Sequence, residues 1–307
     1  MGMDRFDRLQ LFVRIVERRS FSAAAADLGL ARSTVTEVIK QLEADLGASL
    51  LQRTTRHVAP TLDGEAFYQR CLGILADVED AESIFRDAEP RGLLRIDAHP
   101  YLTQRFLLPK LPEFLQRYPH LDLQIGQGDR VVDLIREGVD CAIRAGELQD
   151  SDLIVRKLGT IAEVTCASPG YLERFGRPTH PQELTDHQCV GFISSRTGEV
   201  MPLEFMLDKK PVMIRVQSRV SVNDSGTMAE LARLGFGIIQ APRYRLQTDL
   251  ESGHLVEILS DYPPTPTPLS ALYHRSRQLS PRLRVFLNWA SDVFASANLG
   301  SPSPLRR

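Results

Sequence analysis

The sequence predicts an α/β protein in unequal parts: an all-α N-terminal head built on a winged helix-turn-helix, one long linker helix, and a larger C-terminal half that mixes strands and helices. Three observations carry the prediction. Apolar residues recur at three- and four-residue steps from Phe6 to Leu46 and again from Phe67 to Phe85. Between these stretches lies a run, Ser49 to Val58, that is β-prone at both ends and basic in the middle. Beyond Pro90-Arg91-Gly92, short apolar runs bounded by turn residues alternate with amphipathic ones.

In the head, Asp4 caps a helix whose apolar face is Phe6, Leu9, Phe12, Val13 and Val16. Ser20 caps a second helix of small residues, Phe21 to Leu28, and Gly29 supplies the turn. A third helix turns Val35, Val38, Ile39, Leu42 and Leu46 inward, and Gly47 stops it. Its other face carries Arg32, Ser33, Thr36, Glu37 and Lys40. Two short helices meeting at a glycine, the second with a polar outer face, form the helix-turn-helix pattern that delivers a helix to the major groove. Arg32 can fork onto guanine, and Ser33 and Thr36 offer hydroxyls or a methyl group to bases. Lys40, with Arg53 and Arg56 of the following hairpin, suits phosphates or the adjacent minor groove. A plain three-helix bundle with a solvated polar face is the alternative; the basic hairpin, placed as a wing, argues against it.

Thr61 and the residues after it open a long helix reaching about Ala88. Within it Phe67, Cys71, Ile74, Val78, Ala81 and Phe85 form a heptad seam, too narrow to fold alone and too apolar to leave wet, which predicts a second subunit. Strands are predicted at Leu93–Ala98, Leu121–Gln127, Cys141–Arg144, Glu163–Ala167, Val190–Ile193, Val212–Val222, Ile238–Gln240 and Leu269–Tyr273, in largely parallel sheets. Helices are predicted at Phe106–Tyr118, Val131–Glu137 and Pro281–Phe294, and the tail, 301–307, is expected to be disordered.

At 307 residues, 43% hydrophobic and 25% charged, the chain suits a soluble protein of more than one domain. No apolar run approaches the roughly 18 residues that cross a bilayer, and the N-terminus does not read as a signal peptide. A cytoplasmic protein without a membrane partner is expected. The net charge of -2 argues against coating nucleic acid through bulk charge. Residues 1–60 hold nine Lys and Arg against seven Asp and Glu, so the placement of charge must carry any DNA contact. Cys71, Cys141, Cys166 and Cys189 are far apart, with no CxxC and no metal-ligand spacing, and are expected to be buried free thiols. No metal or other cofactor is expected. His99, Ser195 and Asp224 are present, but no nucleophile elbow, P-loop, dinucleotide fingerprint or zinc motif accompanies them, which argues against an enzyme.

Phe12-Val13, Ser20-Phe21-Ser22-Ala23-Ala24-Ala25, Leu28, Ser33, Val35-Thr36, Ile39, Leu42-Glu43, Leu46-Gly47, Leu50-Leu51-Gln52-Arg53, Arg56, Val58 and Leu62-Asp63-Gly64 together resemble the head of LysR-type transcriptional regulators. The resemblance continues through Leu107-Leu108-Pro109, Glu137-Gly138-Val139-Asp140, Ser168-Pro169-Gly170-Tyr171-Leu172, Val222-Asn223-Asp224 and Gly235-Phe236-Gly237. It implies a regulator with a winged head at 1–62, a linker and dimerisation helix at 63–89, and an effector-binding domain at 90–300. That domain would resemble a periplasmic binding protein, with subdomain I at 92–161 plus 268–300 and subdomain II at 162–267. The resemblance further implies base reading by Arg32, Ser33, Thr36 and Glu37, with Arg53 and Arg56 in the wing. The implied partners are double-stranded DNA at an interrupted inverted repeat, a small-molecule effector, a homodimer assembling further to a homotetramer, and RNA polymerase if the protein activates. Two departures matter: Ala31 lacks the Ser or Thr cap common in the family, and Glu37 stands where Arg or His is frequent.

On this reading the effector, a small anion, lies between the subdomains. His99, Tyr101, Leu102, Thr103 and Arg144 line it from one side, and Ser168, Phe192, Ser194, Ser195, Asn223, Asp224 and Pro242 from the other. Each has a plainer alternative: His99 as a loop residue satisfied by backbone, Arg144 paired with a carboxylate such as Asp140, Ser168 and Asn223-Asp224 as helix caps. A solute-binding protein or an enzyme on the same α/β fold is the rival reading of the C-terminal half; the head that precedes it argues for the regulator.

Overall fold

The computed structural model describes residues 3–53, 58–83, 89–128, 133–146, 152–195, 197–275, 280–297 and 299. The head begins with α1 (Arg5–Arg18), where the Asp4 carboxylate accepts from the Asp7 N–H at 2.8 Å and the Asp7 carboxylate accepts from the Asp4 N–H at 3.0 Å. The Ser20 hydroxyl accepts from the Ala23 N–H at 3.2 Å and starts α2 (Phe21–Asp27). The third helix, α3 (Arg32–Leu46), stops at Gly47, whose φ of 66° is the left-handed conformation that glycine adopts without strain. Leu11, Phe12, Ile15, Ala24, Val35 and Ile39 are fully buried at the centre of this head.

A wing of two antiparallel strands follows, β1 (Leu51–Arg53) and β2 (Val58–Pro60). It is tied to α3 by Glu43, whose carboxylate accepts from the N–H groups of Leu50 at 2.8 Å and Leu51 at 3.1 Å. The linker helix α4 (Leu62–Ser83) starts at Thr61, which accepts from the Gly64 N–H at 2.9 Å and donates to the Ser49 carbonyl at 2.7 Å. A Cβ at Gly64 would stand 1.9 Å from the Leu50 carbonyl oxygen, so only glycine admits this approach of helix to wing. The first turns of α4 thereby belong to the head. Cys71 is fully buried in its core and the Phe67 ring packs on Phe12 with centroids 5.3 Å apart. This corrects the heptad seam: Phe67 and Cys71 face inward. Ile74, at 43% exposure, and half-buried Val78 remain on the outside, while the Ala81 side chain and Phe85 lie outside the described residues.

The first sheet contains β3 (Gly92–Ala98), β4 (Leu121–Gln127), β5 (Cys141–Ala145), β6 (Leu153–Ile161) and, from far along the chain, β14 (Thr267–His274), in the order β4-β3-β5-β14-β6. It is mixed rather than largely parallel, because β14 enters from the second subdomain and runs antiparallel to both β5 and β6. The helical segment after β3 starts earlier than expected, with α5 (Pro100–Leu102), a wide π-type turn at Thr103–Leu107, a tight turn through Pro109 and then α6 (Leu111–Arg117). The expected helix Val131–Glu137 is corrected to a single turn in its described part, where the Asp133 carboxylate accepts from the Arg136 N–H at 3.0 Å; residues 131 and 132 lie outside the described ones.

The second subdomain holds β7 (Glu163–Ala167), α7 (Pro169–Phe175), β8 (Gln188–Phe192), β9 (Leu203–Leu207), β10 (Lys210–Ile214), β11 (Gln217–Val222), α8 (Ser225–Arg233), β12 (Ile239–Pro242), α9 (Arg243–Ser252) and β13 (Val256–Glu257). Antiparallel β12-β7-β13 and parallel β11-β8 join where Ile238 exchanges backbone hydrogen bonds with Gln188 and Val190, at 2.9 and 3.0 Å. The expected strand Val212–Val222 is two strands. Its first part pairs with β9 across a turn in which Asp208 and Lys209 both hold positive φ, and its second part pairs with β8. Finally α10 (Pro281–Ser296) returns to the first sheet and buries Leu283, Phe286, Leu287 and Phe294 against it.

Candidate nucleic-acid interface and effector cleft

On α3 the side chains of Arg32, Ser33, Glu37 and Lys40 are exposed, while Val35 and Ile39 on the opposite side are fully buried. Thr36 is half-buried; its hydroxyl donates to the Arg32 carbonyl at 3.0 Å, which leaves its methyl group and oxygen lone pairs for an outside partner. Ala31 supplies no side-chain cap, so the first-turn N–H groups of α3 are left to an external acceptor, the arrangement that suits a phosphate. The scaffold behind this ridge is pinned by charge. The Arg18 guanidinium donates twice to Asp27, at 2.7 and 2.9 Å, joining α1 to α2, and Arg8 reaches Asp45 of α3 at 2.8 Å. The Arg53 side chain and the whole of Arg56 lie outside the described residues.

The expected cleft residues do not behave alike. His99 accepts from the Tyr101 N–H through Nδ1 at 3.2 Å and so caps the segment after β3, the plainer of its two readings. Leu102 and Thr103 are corrected: both are fully buried, Leu102 in the apolar core of subdomain I and Thr103 with its hydroxyl on the His99 carbonyl. Arg144 is paired, with Asp97 rather than Asp140, and both side chains are only 13% and 12% exposed. Asp140 instead accepts from the Arg95 N–H at 2.8 Å. In the second subdomain Ser168 is buried and does not cap α7, Phe192 is half-buried, and Ser194 closes a turn with Gly198. Ser195 and Asn223 are exposed. Asp224 caps α8, held below the usual carboxylate range chiefly by the Thr227 N–H at 2.7 Å. Pro242 leads into α9.

Tyr101 and Asp224 are brought together by a residue that the sequence reading missed. Arg245, on α9, lays its guanidinium over the Tyr101 ring at 4.5 Å and holds Nη2 4.0 Å from an Asp224 carboxylate oxygen. Its neighbour Tyr244 stacks on Tyr101 with centroids 5.6 Å apart and receives the edge of Phe106 at 5.3 Å. The segments after β3, β11 and β12 thus converge, as C-terminal strand ends do in α/β ligand sites. The available signal was Arg243-Tyr244-Arg245, aromatic and basic, opening a helix directly behind a strand end. At the crossover between subdomains the Thr267 hydroxyl donates to Glu163 at 2.9 Å, and burial pushes the Glu163 carboxyl up to about 7. All four cysteines are free and buried, and burial raises each thiol, Cys71 and Cys141 to about 12 and Cys189 to about 11. Burial and a raised pKa both lower the thiolate fraction on which nucleophilic reactivity depends. Among the described residues no cluster of His, Cys, Asp and Glu could hold a metal, and no helix is long and apolar enough to cross a membrane.

Residues 6–65 match the family model for the bacterial regulatory helix-turn-helix protein of the LysR family, and residues 87–295 match that for the LysR substrate binding domain. The HTH-type transcriptional regulator YhjC of Escherichia coli K12 is 37% identical over 293 residues, covering 95% of this chain and 98% of its own length. The regulator CrgA of Neisseria meningitidis serogroup C is 33% identical over 286 residues, with 92% and 95% covered. A solved structure of CrgA, a LysR-type regulator, aligns with a TM-score of 0.57 at 32% identity, over 95% of this chain and 99% of that one. With a LysR helix-turn-helix model on its head and a LysR sensor model on its cleft-bearing half, the chain belongs to the LysR family of transcriptional regulators.

Proposed function

We propose that two copies of this chain, paired through the outer side of α4, set their α3 ridges into successive major grooves of an interrupted inverted repeat. A small anionic effector between the subdomains alters how the heads are presented. One observation carries the DNA reading: Arg32, Ser33, Glu37 and Lys40 stand in solvent on α3, while Val35, Ile39 and Leu42 bury its other side in the head. Arg32 reads guanine, Thr36 contacts a base through its methyl group, Glu37 accepts from cytosine, and Lys40, Arg53 and Arg56 neutralise phosphates. The head spans 1–62, the linker 63–89 and the sensor 90–300. The dimers assemble into a tetramer in the cytoplasm, RNA polymerase is engaged where transcription is activated, and no reaction is catalysed in the cleft.

Closing or opening the cleft changes the packing between subdomains, so an effector that binds one arrangement better shifts the population of head geometries. The test is fluorescence anisotropy on the promoter region beside the protein's own gene. Wild type binds, and Arg32→Ala weakens binding by about 30-fold or more, since each of two heads loses a base contact of roughly 1 kcal/mol or more. Sedimentation mass stays unchanged in the variant. A wild-type protein that ignores promoter duplexes at low salt overturns the reading.

A further inference from the structure

Among the described residues Arg144, Arg243 and Arg245 border the cleft, and ion pairs within the fold account for two of them. Arg144 is paired with Asp97, and Arg243, nearly buried at the start of α9, is paired with Glu257. Arg245 is different. Its side chain is 12% exposed, yet Nε and Nη1 are sealed from solvent and meet no acceptor among the described residues. Its nearest carboxylate, Asp224, is 59% exposed, stands 4.0 Å away and is already engaged by the Thr227 N–H and hydroxyl at 2.7 and 2.9 Å. Orphaned donors on a buried, permanently charged group are costly, and native proteins retain them where something outside the chain supplies the acceptor.

The surroundings define that acceptor. Tyr101, from subdomain I, covers one face of the guanidinium. Gly226 presses from subdomain II, where a Cβ would stand 2.8 Å from Nη2. Between ring and glycine backbone lies the guanidinium itself, aromatic-walled and positively charged. A planar carboxylate matches the guanidinium fork in shape and charge, whereas a tetrahedral phosphate carries two of its oxygens out of the plane of the fork. We propose that Arg245 receives the carboxylate of the effector, and that it does so while touching both subdomains, so that filling its donors shifts Tyr101 relative to α8. The proposal rests on the effector reading above and deepens it by assigning the ligand class and the residue that selects it.

The experiment is thermal unfolding of the full chain as wild type, Arg245→Lys and Arg245→Met. The probes are acetate, succinate and benzoate, each paired with its amide, and inorganic phosphate, all at matched ionic strength. Without a probe, Arg245→Met melts at or above the wild type, because the orphaned donors are gone and a side chain of similar length still covers Tyr101. At least one carboxylate raises the wild-type melting temperature by about 3 °C or more. Its amide and phosphate do not, Arg245→Lys responds less, and Arg245→Met not at all. Arg245→Met melting several degrees low without a probe overturns the proposal, since Arg245 is then a structural staple. A carboxylate that stabilises Arg245→Met fully, a stronger response to phosphate, or no response to any carboxylate overturns it too. An amide that stabilises wild type and Arg245→Met equally leaves the effector cleft standing and removes Arg245 from it. Failure of promoter binding in the anisotropy assay strikes the DNA reading and not this one.

Discussion

The ridge of α3 and the floor of the cleft both present arginines, and they hold them in opposite ways. Arg32 and Lys40 stand in solvent. In the cleft Arg144, Arg243 and Arg245 are almost covered, two of them by a carboxylate and the third by an aromatic ring. The difference fits the partner proposed for each surface. A duplex is a dense polyanion whose counterions are released on contact, so side chains that stay hydrated and mobile until binding suit it. A small ligand offers few contacts and must find them already oriented, because ordering long side chains around it costs much of the affinity it can supply. The head keeps its charge loose on a rigid scaffold; the sensor fixes its charge inside.

The comparison can be broken most forcefully at the paired arginine. Asp97→Ala takes the carboxylate away from the Arg144 guanidinium in a nearly dry site and leaves it the backbone carbonyls of residues 97 and 143. It is expected to cost the sensor about 3 kcal/mol, or roughly 6–12 °C in melting temperature, by the usual penalty for an orphaned buried charge. Arg18→Ala, at the exposed Arg18–Asp27 pair of the head, leaves the melting temperature unchanged. Equal losses at the two sites, read by calorimetry, contradict the contrast.

A smaller effect is expected at Glu163, on the crossover between subdomains. Its carboxyl, raised by burial to about 7 from an ordinary 4.5, keeps its proton in the folded chain over a range where the unfolded chain has lost it. The folded state therefore binds more protons between those values. The contribution is fully present below about pH 4.5 and is lost as pH rises through about 7, worth roughly 2–3 kcal/mol between pH 5 and pH 8. Glu163→Gln removes the dependence, so it stabilises the sensor at pH 8 more than at pH 5. A gain that is the same at both values rules out the raised carboxyl.

The smallest effect separates the two regions by their thiols. Cys71 lies in the head core, while Cys141, Cys166 and Cys189 lie in the sensor, and all are buried with raised pKa. Reaction with an aromatic disulfide reagent at pH 8 is expected only as each region opens, with Cys71 reporting on the head alone. A thiol that reacts at once in the folded protein refutes that expectation.

Legibility differed between the two regions for a physical reason. The head's helices, their caps at Asp4 and Ser20 and the stop at Gly47 are local features, and short-range spacing suffices to read them. In the sensor, local reading missed β6 and β9 altogether and ran β10 and β11 together, because Arg215 and Val216, which separate them, include no glycine or proline to mark the break. Phe67 and Cys71 satisfied a heptad but face inward, since periodicity shows that a side must be covered and not what covers it.

Residue types at short separations were enough for the helix-turn-helix and for the polar ridge with Arg32 at its start, and the family resemblance supplied the two-part sensor. That Arg144 answers Asp97 and that Arg245 lies over Tyr101 came from contacts across the fold. The Tyr101 and Tyr244 rings that stack there are 143 positions apart in the chain. Which charge is matched and which is left waiting for a ligand depends on strand ends meeting across a cleft, and no local pattern of side chains encodes that meeting.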